Sequence, residues 1–102
     1  MLPSLFISHG SPMLALNKTS AHTFLRELGS QLSPKAVVVV SAHWESSELL
    51  VSSSAKPKTI HDFGGFPQAL FDLHYAAPGD PELAERLAAL LGAKPIERGF
   101  DH

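Results

Sequence analysis

Apolar residues follow three patterns along this chain, and each predicts a different kind of element. The first is the short, uninterrupted run. Leu5-Phe6-Ile7 stops at Ser8-His9-Gly10-Ser11-Pro12, a cluster of turn-forming residues, and predicts a strand followed by a loop. Ala36-Val37-Val38-Val39-Val40 stops in the same way at Ser41-Ala42-His43-Trp44. A β-branched run with no polar interruption predicts a strand buried on both faces, as in a parallel sheet covered by helices. Leu49-Leu50-Val51 predicts another strand and Ile96 a further short one, with residues 52–59 left as loop.

The second pattern has helical spacing. Phe24, Leu25, Leu28 and Leu32 share one face of a helix expected over 21–31, capped by Ser20 and closed by Ser33-Pro34. A second helix is expected over 81–91, with Asp80 at its N-cap, Pro81 at its first position and Gly92 just past its end. Its apolar stripe is Leu83, Leu87, Leu90 and Leu91, and Pro67 can open a shorter helix through Leu73. The third pattern has no period at all: Ile60-His61-Asp62-Phe63-Gly64-Gly65-Phe66-Pro67 is apolar, aromatic and rich in glycine.

The resulting order, β-α-β-β-α-β, predicts an α/β fold with a mixed, largely parallel central sheet flanked by helices. At 102 residues the chain is one domain at most, or part of one. Its last residues, Arg98-Gly99-Phe100-Asp101-His102, resemble the middle of a functional loop. The expectation is that residues 1–102 are the N-terminal half of a larger α/β domain whose C-terminal part is absent.

Composition narrows the chemistry. Eight Lys plus Arg against ten Asp plus Glu give a net charge of −2, with no basic cluster. That argues against nucleic-acid binding, which rests mainly on neutralising phosphates. No apolar run approaches the roughly 20 residues of a membrane span, and the N-terminus lacks the pattern of a signal peptide. With no cysteine, thiolate metal sites are excluded, so any metal must be held by imidazole and oxygen, as suits Fe(II), Zn(II) or Mn(II). A reduced, cytoplasmic setting is expected.

Six histidines fall at positions 9, 22, 43, 61, 74 and 102. His9 and His43 directly follow the two apolar runs, and ligands of open α/β sheets bind beyond the carboxyl ends of strands. They are candidate metal ligands converging on one ion. The alternative is that each is a loop histidine bonded to nearby backbone. Trp44 can wall a pocket beside His43, and Phe63 and Phe66 can line an apolar one. Asp62 can orient a histidine or cap the following turn. His61 sits in that aromatic loop, His74 is expected to be structural or exposed, and His22 to lie on the surface.

The strings Ser8-His9-Gly10-Ser11-Pro12, Ser41-Ala42-His43-Trp44, Ile60 to Leu70, and Gly99-Phe100-Asp101-His102 together resemble the class III extradiol ring-cleaving dioxygenases. The likeness is to the DOPA 4,5-dioxygenase-like branch of their catalytic B-subunit superfamily, over about the first two-fifths of a member. The resemblance implies a non-haem Fe(II) site, sometimes with Zn(II) in its place, acting on a small aromatic diol with O2. It implies that His9 and His43 are metal ligands and that His102 is the catalytic acid/base. His61, Phe63, Phe66 and Trp44 then fall to substrate binding. The family's remaining ligands lie in the half that is missing here, so the chain alone is expected to hold metal weakly and to be inactive.

Two other readings stand beside the dioxygenase: a same-fold interaction protein without oxygenase activity, and a zinc-dependent hydrolase using the same two histidines. Assembly as a homo-oligomer is left open.

Overall fold

The computed structural model describes residues 1–97 and the backbone of Phe100 and Asp101. The chain is divided into two compact units, one of Met1–Val39 with Gly65–Asp72, the other of Val40–Gly64 with Leu73–His102.

In the first unit, Ser11 starts a short 3-10 helix over Pro12–Ala15 by accepting a hydrogen bond from the Met13 amide at 3.2 Å. Helix α1 spans Ser20–Ser30. Its cap is Thr19, one residue earlier than expected, because the Thr19 hydroxyl accepts from the His22 amide at 3.2 Å and leaves Ser20 inside the first turn. Leu25, Leu28 and Leu32 are half-buried, whereas Phe24 is exposed. Helix α2, Gln68–Phe71, packs against the 3-10 turn and carries Leu70, which is buried.

The second unit is built around a parallel β-α-β arrangement. Strand β1, Leu50–Ser52, pairs in parallel with β3, Lys94–Ile96, and helix α3, Pro81–Leu91, packs on both. Parallel strands need a crossover of this kind, since no tight turn can bring one strand back alongside another in the same direction. The helix begins where Asp80 accepts the Leu83 amide at 3.0 Å. It ends at Gly92, whose φ of 65° lies in the left-handed region, and there the Ala93 amide bonds the Ala88 carbonyl at 2.8 Å. A second parallel pair joins β2, Lys58–Thr59, to β4, Phe100–Asp101. No described helix is long and apolar enough to cross a membrane.

The fold is therefore α/β with parallel pairing, and four sequence expectations are corrected within it. The runs Leu5–Ile7 and 36–40 form no strand, and Phe6 and Val37 to Val40 are exposed. A strand exists only where another backbone offers a ladder, and among the described residues none pairs with these runs. Among the described residues parallel pairing comes instead as two two-stranded sheets, and β2 falls inside the stretch expected to be loop. On α3, the buried positions are Ala84 and Ala88, flanked by half-buried Leu83 and Leu87, while Leu90 and Leu91 are exposed. The most deeply buried face of the helix is thus its alanine face.

Two backbone details shape the second unit. Gly79 lies so close to the 54–57 turn that a Cβ on it would stand 1.8 Å from the Ser54 carbonyl oxygen. The Gly79 amide also donates to the Ala55 carbonyl at 3.0 Å, so the turn is clasped immediately before α3 begins. In β3, Lys94 donates to the Leu49 carbonyl at 2.9 Å and Ile96 accepts from the Ser53 amide at 2.7 Å. Residues alternate in the side to which they offer hydrogen bonds, so Pro95, which has no N–H, stands at the position that does not face β1.

Candidate metal and substrate site

His9 follows Ile7-Ser8 and precedes Gly10, whose φ is 63°. The turn this permits brings the Gly10 carbonyl to 2.9 Å from His9 Nδ1. A carbonyl oxygen only accepts, so Nδ1 carries the proton and the lone pair of the neutral ring resides on Nε2. His9 also borders an open cavity of about 470 Å³ within the first unit, together with Ser11, Leu14, His22, Leu25 and Arg26. His22 is half-buried there rather than on the surface as expected. Its Nδ1 donates to the Leu14 carbonyl at 2.7 Å, which ties α1 to the end of the 3-10 turn.

His43 occupies a turn in which the Ser41 hydroxyl accepts the His43 amide at 3.1 Å and the Ser41 carbonyl accepts the Trp44 amide at 3.4 Å. This local turn, not a strand end, aims the ring. His43 Nδ1 lies 2.8 Å from Asp62 Oδ2, across 19 residues of sequence. A carboxylate likewise only accepts, so His43 has the same tautomer as His9, with its lone pair on Nε2.

His61 is held in the opposite sense. Its Nε2 donates to the Leu73 carbonyl at 2.7 Å, and its ring meets Phe63 and His74 edge-on, at centroid distances of 5.9 and 5.4 Å. The glycine-rich loop is thus pinned to the 73–74 segment through one imidazole. His74 is exposed, as expected, but contributes its ring to this cluster. Trp44 and Phe63 are half-buried in the second unit and Phe66 is half-buried in the first. His102 lies outside the described residues.

Each of these imidazoles, His9 in the first unit and His43 in the second, has the tautomer that suits coordination of a divalent non-haem metal through Nε2, and a carboxylate holds the His43 ring from behind. Among the described residues no group of three or more His, Asp or Glu is placed to hold an ion. The sequence pointed to both histidines and left Asp62 either to orient a histidine or to cap the following turn. It gave no sign of the His61–Leu73 and His22–Leu14 bonds, which join a ring to a backbone carbonyl and leave no trace in residue type.

Comparison with known proteins places the chain in a family. Residues 3–101 match the model of the catalytic LigB subunit of aromatic ring-opening dioxygenase. The chain belongs to this family. It is 50% identical over 107 residues to the 4,5-DOPA dioxygenase extradiol of Escherichia coli (strain K12), covering 99% of this chain and 40% of that protein. To the 4,5-DOPA dioxygenase extradiol of Beta vulgaris it is 44% identical over 108 residues, covering 95% of this chain and 40% of that protein. The dioxygenase tasH of Hapsidospora irregularis is 31% identical over 121 residues, covering 100% of this chain and 37% of that protein. The chain therefore spans about two-fifths of the length of the curated relatives it matches.

Proposed function

We propose that this chain supplies the N-terminal half of the active site of a non-haem metal-dependent extradiol dioxygenase that opens a catechol-type, DOPA-like ring with O2. The observation that carries this is the family match over residues 3–101 joined to two histidines whose Nδ1 protons are each committed to an oxygen. Metal dependence is general among the family's extradiol dioxygenases. Fe(II), with Zn(II) as the alternative, is the metal proposed, and the cytoplasm the setting.

His9 and His43 are assigned to hold the metal through Nε2. A divalent metal held there would supply Lewis-acid and redox chemistry toward a catechol and O2. His61 contributes as a wall of the substrate site, its ring oriented by the hydrogen bond to Leu73 and the edge contact with Phe63. Phe63, Phe66 and Trp44 are assigned to binding the aromatic ring of the substrate. His102 is assigned to accept a catechol proton and to return a proton to a leaving oxygen.

The test is a chimera in which residues 1–102 replace the matching part of the Escherichia coli relative. Fe(II)-dependent oxygen uptake with DOPA, with a semialdehyde product, is expected. His9→Ala and His43→Ala should each lose bound iron. His102→Ala should keep iron while turnover falls by about 10²–10⁴-fold, the range for loss of a general acid/base. Turnover that proceeds with zinc and without oxygen would point to a hydrolase, and intact folding with neither metal nor turnover to an interaction protein.

A further inference from the structure

Asp62 and His61 are neighbours in sequence and serve opposite ends of one arrangement. His61 is tied back to the Leu73 carbonyl at 2.7 Å, which fixes the loop. From that fixed loop the Asp62 carboxylate reaches His43 Nδ1 at 2.8 Å. We propose that Asp62 is a positioning residue for His43: it holds the imidazole in the Nδ1–H tautomer so that Nε2 is the atom presented to a divalent metal. The proposal rests on the reading of His43 as a ligand.

The alternative role for such a pair is stabilisation of the fold, and exposure decides against it. The two side chains are 66% and 54% exposed, and exposed pairs of this kind contribute about 0–1 kcal/mol. What the contact does supply is direction. An imidazole on a turn has two ring nitrogens available, and without an acceptor at Nδ1 the proton is free to sit on Nε2, where it would block the donor atom. His9 needs no such residue, because its own turn brings the Gly10 carbonyl to Nδ1. The His43 ring instead meets a carboxylate 19 residues away.

The experiment compares the unaltered chain with Asp62→Ala, using Asp72→Ala as the control for loss of an exposed carboxylate that bonds Gln68 instead. Nitrogen-15 spectra of the histidine rings, with His43 assigned by the signal lost in His43→Gln, report the tautomer without any metal. Co(II) titration then reports affinity. Asp62→Ala is expected to shift His43 toward the Nε2–H form and to weaken Co(II) binding by roughly 10–100-fold, the usual loss when the group behind a metal-bound histidine is removed. Asp72→Ala should leave both readouts unchanged. An Asp62→Ala ring that keeps its Nδ1 proton, or Co(II) affinity equal to that of the unaltered chain, overturns the proposal and leaves His43 standing as a ligand. If the unaltered chain takes up no Co(II) while the tautomer still follows Asp62, the hold on His43 is supported and the ligand reading fails.

Discussion

The β1-α3-β3 segment and the valine run at 36–40 start from similar raw material and end differently. Strand β1 has only Leu50, Val51 and Ser52, and β3 has only Lys94, Pro95 and Ile96, yet both are laddered and covered by a helix. The valine run is more hydrophobic and more β-branched than either. It is nonetheless unpaired among the described residues, with Val40 95% exposed. Propensity and hydrophobicity do not make a strand; a partner backbone and a covering surface do. What gives β1 and β3 theirs is punctuation: a cap at Asp80, a stop at Gly92 and a close approach at Gly79 deliver the chain back at the right distance.

If that is correct, damage to the punctuation should cost more than damage to the run. Gly79→Ala should have the largest effect, because the added Cβ meets a backbone oxygen that has no rotamer to move to. A loss of about 1–3 kcal/mol is expected from overpacking of this kind, measured by urea denaturation. Asp80→Ala removes the acceptor for the Leu83 amide and should cost about 1 kcal/mol by the same measurement. Val38→Thr should be nearly silent, within about 0.5 kcal/mol, as for surface substitutions in general. A Val38→Thr penalty as large as that of Gly79→Ala would break the comparison, showing that the run is packed after all. Strong hydrogen-exchange protection at Val51 with little at Val38 would sharpen it.

Helix α3 was legible down to its end residues because each boundary signal is local: Asp80, Pro81 and Gly92 act within one turn of where they stand. Its orientation was not, since the leucine stripe competes with Ala84 and Ala88 and burial against the rest of the unit decides between them. The two apolar runs misled because pairing is a property of two segments and the sequence of one says nothing of the other. The candidate site divides the same way. His9 and His43 were legible as residue types after apolar runs, and the orienting role of Asp62 as one of two options. That Asp62 serves His43 and not its neighbour His61 depends on a contact across 19 residues, which no local pattern encodes.

Pro95 gives the β1–β3 pair a direction of growth. On its side away from β1, β3 carries an imino acid where an incoming strand would require an amide, so one rung of any ladder built there is missing. On the side of β1 away from β3, Leu50 and Ser52 both keep their amides. A strand laid alongside the pair would therefore find an unbroken row of amides only at β1.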